Sequence, residues 1–298
     1  MAETRMSLDR IGVVGAGQMG AGIAQVAAQA EIGVVMHDIA PEMCKRGVDS
    51  IARNLDRMIE RGRFKPEERD RVMRRVETTT NLEDLAKVGF VIEAVTENEE
   101  AKIAVLQKLD KACPPETIFA SNTSSISITR MGARTSRADR VIGMHFMNPV
   151  PAMKLVEIIR GLATSEPTFQ QTRALAEQLG KTTMTAQDFP GFIVNRVLLP
   201  MINEAIYTMY EGVGGVTDID TAMKLGTNQP MGPLELADLI GLDTCLAIME
   251  VMHRVLGDDK YRPCPLLKKY VDAGYLGRKS GRGFYVYDEK GTLIPPPR

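Results

Sequence analysis

Ile11-Gly12-Val13-Val14-Gly15-Ala16-Gly17-Gln18-Met19-Gly20 is the stretch that decides the fold. Ile11 to Val14 is a compact apolar run of the kind that forms a buried strand, and the alanine-rich segment Ala21 to Ala30 after the glycines is helical in character. Val34-Val35-Met36-His37-Asp38 then supplies a second β-like run. A G-x-G-x-x-G pattern alone is a weak signal, but between a strand and a helix of a βαβ unit it marks a dinucleotide site. Gly15 permits the tight turn, Gly17 lets a pyrophosphate approach the backbone, and Gly20 lets helix and strand pack closely. The helix start offers unpaired N–H groups and a partial positive charge to phosphate. Asp38 can accept hydrogen bonds from the adenosine ribose hydroxyls and would repel a 2′-phosphate, which favours NAD over NADP. The expected contacts in this region are Gly15, Ala16, Gly17, Gln18, Met19, Gly20 and Asp38.

Further β-like runs occur at Gly89 to Val95, Thr117 to Ala120, Val141 to His145 and Leu155 to Ile159, with helical patterns between most of them. That alternation predicts an α/β, Rossmann-type doubly wound, mainly parallel sheet. Ligands of such sheets bind beyond the carboxyl ends of the strands. Polar residues gather at those ends: Thr96-Glu97-Asn98, Ser121-Asn122-Thr123-Ser124-Ser125, and His145 with Asn148. After Phe189-Pro190-Gly191 the pattern becomes helical, first in the apolar stretch Phe192 to Met209 and then at about 217–225, 232–240, 242–256 and 265–273. The expected organisation is a dinucleotide-binding domain over residues 1–189 and an all-α C-terminal domain over 190–298. A substrate cleft and a homodimer contact are expected of the helical domain.

Composition narrows the function classes. A net charge of −1, 44% hydrophobic and 25% charged residues describe an ordinary globular chain without the field that attracts nucleic acid or an anionic membrane. The four cysteines, Cys44, Cys113, Cys245 and Cys264, form no C-x-x-C pair, which argues against zinc or a disulfide framework and for a reducing compartment. Met1 to Arg10 has no apolar signal core, and no stretch has the roughly 18 apolar residues of a membrane span. The expectation is a cytoplasmic protein without metal, membrane or nucleic-acid partner.

His145 is one of only three histidines. It closes an apolar run, and Glu157 sits inside the second run Lys154-Leu155-Val156-Glu157-Ile158-Ile159. A carboxylate between Val156 and Ile158 is costly unless paired. Two adjacent strands would bring it beside His145 and fix the imidazole tautomer, as a general base requires, although a structural hydrogen bond has the same spacing. His37 should face away from Asp38 on its strand, and His253 lies in an apolar helix; packing roles suit both. On the helix after Asp38, Arg46, Arg53, Arg57 and Arg61 share one face and Met43, Gly47, Ile51, Leu55 and Met58 another. Such a stripe is either a solvated face or a dock for a phosphorylated ligand other than NAD.

Three longer motifs narrow the choice: Ser121-Asn122-Thr123-Ser124-Ser125; His145-Phe146-Met147-Asn148-Pro149-Val150-Pro151 with Met153 to Glu157; and Pro190-Gly191-Phe192-Ile193-Val194-Asn195-Arg196. They resemble the signatures of the L-3-hydroxyacyl-CoA dehydrogenases. Asp218 to Gly226, Pro230 to Pro233 and Gly277 to Gly281 fit the same pattern, and the match runs from about Arg10 to Tyr287. The resemblance implies an NAD-dependent oxidation of a 3-hydroxyacyl-CoA. His145 would be the base and Glu157 its partner, with Ser124 and Asn195 hydrogen-bonding the reacting oxygen or the neighbouring carbonyl, Asn195 from across an interdomain cleft. It adds Glu97, Lys102, Ser124, Asn148 and Lys279 to the NAD contacts and assigns Asn54 and Arg61 to coenzyme A, with Ser124 also touching substrate. Asn54 stands where some relatives have serine. Met147, often Phe, and Gln229, often His, also depart from the pattern but not at catalytic positions.

Lysine-dependent dehydrogenases of the 3-hydroxyisobutyrate type share the expected architecture, and so would a structural or sensory protein that kept the fold and lost catalysis. His145 with Glu157 argues against the first, and the joint presence of Ser124, His145, Glu157 and Asn195 against the second.

Overall fold

The computed structural model describes residues 8–294; residues 1–7 and 295–298, which include the Pro295-Pro296-Pro297 tail, lie outside the described residues. The chain divides between Phe189 and Pro190 into two compact units.

The first unit runs β1 (Arg10–Val14), α1 (Gln18–Gln29), β2 (Gly33–His37), α2 (Pro41–Glu60), α3 (Pro66–Met73), β3 (Val76–Thr79), β4 (Phe90–Glu93), α4 (Glu99–Ala112), β5 (Ile118–Ser121), α5 (Ile128–Gly132), β6 (Val141–Phe146), β7 (Leu155–Arg160), α6 (Glu166–Gln178) and β8 (Thr182–Gln187). These strands make one sheet in the order β3-β2-β1-β4-β5-β6-β7-β8. From β3 to β6 all neighbours are parallel, which is the doubly wound order with its crossover beside β1. β7 turns back antiparallel to β6, and β8 runs parallel to β7. The mainly parallel, Rossmann-type sheet expected from the alternating pattern is present. The central strands β4, β5 and β6 are buried throughout, so they read in sequence as continuous apolar runs rather than as alternation.

Glycines let the first strand and helix meet. Gly20 passes so close beneath the loop that a Cβ there would lie 1.7 Å from the Gly15 carbonyl oxygen. Gly15 has φ +103° and donates its N–H to the His37 carbonyl at 2.8 Å, tying the loop to the end of β2. α2 buries Cys44, Gly47, Ile51 and Leu55 and turns its arginines outward.

The second unit carries α7 (Val194–Tyr210), α8 (Val216–Gly226), α9 (Pro233–Ile240), α10 (Leu242–Leu256) and α11 (Pro265–Asp272), then a short antiparallel pair, β9 (Val286–Tyr287) with β10 (Leu293–Ile294). The domain is helical as expected, except for that pair, whose two-residue strands carry no periodicity. Its core joins Leu199, Ile202, Ile206, Leu234, Leu242 and Met249. No described helix is long and apolar enough to cross a membrane.

Candidate active site

The carboxyl ends of β1, β2, β4, β5 and β6 bring most of the expected residues of the first unit to one edge of the sheet. Gly17 is the N-cap of α1 and places no side chain over the helix start, and a Cβ added to it would meet nothing within 4 Å. No side chain therefore caps the first N–H groups of α1, and no acidic residue occupies its first turn. This cradle suits a pyrophosphate. Asp38, just past β2, accepts from Ala16 N and Ile39 N, both at 2.8 Å, so its carboxylate is held at the rim of the loop. His37 is buried on the opposite face of the strand, away from this rim, and burial lowers its pKa against the opposing pull of Asp38. His253 is partly exposed beside Asp259.

A second group sits at the ends of β4 and β5. Glu97 Oε1 accepts from Thr123 Oγ1 at 2.6 Å, from Ser124 N at 2.8 Å and from Ser124 Oγ at 3.0 Å. Lys102, almost fully buried on α4, lies 3.5 Å from Glu97 Oε2. Burial opposes the charge on Glu97, but Lys102 and the hydrogen bonds from Thr123 and Ser124 outweigh it, so the carboxyl titrates below its ordinary range.

The third group is on β6 and β7. The antiparallel register places His145 directly opposite Glu157, and both are buried. His145 Nδ1 and Glu157 Oε2 are 2.8 Å apart. A carboxylate can only accept, so Nδ1 carries hydrogen and Nε2 the lone pair of the neutral ring. Asn122 Oδ1 accepts from Phe146 N at 2.8 Å and thereby links the Ser121–Ser125 loop to the strand that carries the histidine. Beyond β6, Asn148 precedes a cis Pro149 and accepts from Gln18 Nε2 at 3.0 Å.

Behind this edge, α1, α2 and the Asn148–Pro151 turn enclose a polar cavity of about 320 Å³. Arg53, Asn54 and Arg57 line it, and Asn54 donates to Gln25 Oε1 at 2.7 Å. Arg46 and Arg61 do not line it; Arg61 caps the carboxyl end of α2 and is exposed. In the second unit, Asn195 is buried on the first turn of α7, and Lys279 donates to Asp243 Oδ2 at 2.6 Å. Among the described residues, no group of three or more His, Cys, Asp or Glu side chains is arranged to hold a metal ion.

Two family models match consecutive parts of the chain: the NAD binding domain of 3-hydroxyacyl-CoA dehydrogenase over residues 10–189, and the C-terminal domain of the same enzymes over residues 191–287. The chain belongs to the 3-hydroxyacyl-CoA dehydrogenase family. It is an NAD-dependent oxidoreductase, and the glycine loop, the uncapped start of α1 and Asp38 fit that cofactor. Among its relatives, a probable 3-hydroxybutyryl-CoA dehydrogenase of Bacillus subtilis is 59% identical over 96% of this chain and 99% of its own length. The 3-hydroxybutyryl-CoA dehydrogenase of Bradyrhizobium diazoefficiens is 55% identical over 98% and 99%. The crystal structure of the (S)-3-hydroxybutyryl-CoA dehydrogenase of Ralstonia eutropha superposes with a TM-score of 0.91 at 50% identity, covering 95% of this chain and all of that one (100%). The family resemblance visible in the motifs is thus borne out along nearly the whole dehydrogenase.

One group escaped sequence reasoning. Glu93, at the end of β4, is buried and accepts from Lys102 Nζ at 2.8 Å. The signal was available: a carboxylate between Ile92 and Ala94 in a wholly apolar strand is as anomalous as Glu157.

Proposed function

We propose that this dehydrogenase interconverts (S)-3-hydroxybutyryl-CoA and acetoacetyl-CoA, with His145 as the general base and Glu157 as its orienting partner. The observation that carries the proposal is the buried 2.8 Å contact between His145 Nδ1 and Glu157 Oε2. That contact leaves the lone pair of the neutral imidazole on Nε2, the atom that accepts the 3-hydroxyl proton as the C3 hydrogen departs with its electron pair. Glu157 then faces an imidazolium, and the charge-assisted bond strengthens as the proton arrives. Bound NAD supplies the hydride acceptor. In the reverse direction His145 returns the proton to the developing alkoxide.

Ser124, whose backbone N–H is anchored by Glu97, turns its hydroxyl hydrogen from Glu97 to the reacting oxygen or the thioester carbonyl when substrate is bound, and Asn195 shares that task. Gly15 to Gly20, Asp38, Glu97, Lys102, Ser124, Asn148 and Lys279 hold NAD. Arg53, Asn54 and Arg57 on the polar cavity, with Arg61 on the next turn, receive the phosphates of coenzyme A. The short-chain preference is supported by the names of the relatives, all at high identity.

The chain acts as a homodimer through its second unit. An apolar cavity of about 460 Å³ there is lined by Met201, Ala205, Ile219, Met223 and the exposed Val213, and Leu225, also exposed, lies on the same helix as Ile219 and Met223. A single-chain mass by light scattering would contradict that assembly. Four free, buried cysteines support a cytoplasmic setting, which secretion of the native protein would contradict.

The test of the function is consumption of NADH on addition of acetoacetyl-CoA, compared with NADPH and with longer 3-ketoacyl-CoA substrates. Rapid NADH loss with the four-carbon substrate is expected. Folded protein that consumes no NADH would overturn the proposal, and faster turnover of long chains would overturn the preference.

A further inference from the structure

Glu93 closes β4 with its side chain fully buried, and neither the glycine loop nor the His145–Glu157 pair accounts for it. Both carboxylate oxygens are engaged. Oε1 accepts from Lys102 Nζ at 2.8 Å and from Val95 N at 2.7 Å, and Oε2 accepts from Ser121 Oγ at 2.5 Å. A buried ion pair is a poor source of stability compared with two well-packed apolar side chains. What these contacts supply is geometry, and each leads to the polar edge of the sheet.

The first route runs through Lys102. Its ammonium also donates to Val95 O at 3.2 Å and lies 3.5 Å from Glu97 Oε2, so one cation stands between two carboxylates. Glu97 in turn holds Ser124 by its N–H and its hydroxyl. The second route runs through Ser121. Because Glu93 can only accept, the Ser121 hydroxyl must donate to it, which leaves a lone pair for Thr123 N at 3.3 Å. Thr123 Oγ1 then donates to Glu97 Oε1 at 2.6 Å and accepts from Ile126 N at 2.9 Å. Both routes converge on Glu97 and the loop that presents Ser124. The same strand end also backs the glycine turn, since a Cβ on Gly15 would stand 2.6 Å from the Ala94 carbonyl oxygen.

We propose that Glu93 is a positioning residue that fixes, through Lys102 and Ser121, the placement of Glu97 and Ser124 and thereby the cofactor side of the active site. The proposal rests on the assignment of Glu97, Lys102 and Ser124 to NAD and substrate given above. Glu93→Gln keeps the volume and one acceptor oxygen but removes the charge, so Lys102 is drawn to Glu97 alone and the hold on Ser124 loosens. A displacement of reacting groups by about an ångström is enough to lose on the order of a hundredfold in rate.

The experiment measures NADH affinity by fluorescence titration, and kcat and KM with acetoacetyl-CoA, for the native enzyme, Glu93→Gln and Ser121→Ala. For Glu93→Gln the expected result is a rise of about tenfold in the Kd for NADH and a fall of at least about tenfold in kcat. KM for acetoacetyl-CoA should stay within about twofold, because the polar cavity on α1 and α2 is untouched. A purely structural role would lower the melting temperature without moving the NADH Kd of the folded protein. Ser121→Ala preserves the ion pair and cuts only the second route, and a rise of about threefold in Kd is expected. Unchanged Kd and kcat in both variants overturns the proposal, and if Glu93→Gln does not fold, unchanged values in Ser121→Ala do so alone. A native chain that binds and consumes NADH upholds the proposed function whatever Glu93 does. A native chain that does neither removes both.

Discussion

Replacing Glu157 by Gln tests whether the buried carboxylate works as an anion or as a spacer. Glu157 is fully buried, and its Oε2 lies 2.8 Å from His145 Nδ1. The amide oxygen of Gln can still accept from Nδ1–H, so the resting tautomer survives; what disappears is the negative charge facing the imidazolium formed in catalysis. A hydrogen bond to a charged group contributes about 1.5–3 kcal/mol and roughly half as much when neutral partners replace it. Losing between half and all of that predicts a fall in kcat of about fourfold to 150-fold, at about 1.4 kcal/mol per decade. If the amide turns its NH2 toward Nδ1, the ring is forced into the wrong tautomer, and the loss grows to roughly four decades, as in amidated Ser-His-Asp triads. The assay is steady-state oxidation of (S)-3-hydroxybutyryl-CoA at saturating NAD, with NADH binding measured in parallel. NADH affinity should be unchanged, because Glu157 lies on β7, separated in the sheet by β4, β5 and β6 from β1 and β2, which carry the glycine loop and Asp38. A folded variant with native kcat would refute the role given to the carboxylate.

Two further outcomes follow from the charges around the site. Arg61→Ala should raise KM for acetoacetyl-CoA by about tenfold while leaving a short acyl analogue without the nucleotide nearly unaffected; an equal effect on both would return Arg61 to a solvated surface residue. Acid should weaken the fold through Glu97 and Asp110. Burial opposes the charge on each, but for Glu97 Lys102 with Thr123 and Ser124, and for Asp110 Ser136 with Arg137, outweigh it. Because both folded values lie below the ordinary ones, the stabilisation is complete above the unfolded pKa and is lost as pH falls below about 4.5 and then 3.8 toward the folded values. Thermal melts should therefore drop less steeply below pH ~4.5 in Glu97→Gln than in the native protein, and identical slopes would exclude Glu97 as a source.

The most legible parts of the sequence were those where one local rule dominates. The glycine loop announces itself because Gly15 and Gly20 occupy positions where a side chain would strike the backbone. The buried strands β4 to β6 stand out as apolar runs. β3 and β8 were missed because Val-Glu-Thr-Thr and Thr-Thr-Met-Thr-Ala-Gln lie at the two edges of the sheet, largely solvated and without an apolar run. The His145–Glu157 pairing was readable because two short neighbouring runs each carried one misplaced polar group. Glu93 and Lys102 form an equally buried pair, but they join a strand to a helix, where no fixed register points from one to the other. The basic stripe of α2 was legible as a face. Only the fold shows that Arg53 and Arg57 line the cavity while Arg46 and Arg61 lie beyond it, since which part of a face is covered depends on the neighbouring α1 and the Asn148–Pro151 turn.

The most direct test of the central claim is the kcat of His145→Gln under conditions in which NADH binding is shown to be intact. If His145 carries the proton, kcat falls by roughly two to four decades while the Kd for NADH stays within about twofold. A folded, NADH-binding His145→Gln enzyme with kcat close to native would contradict it.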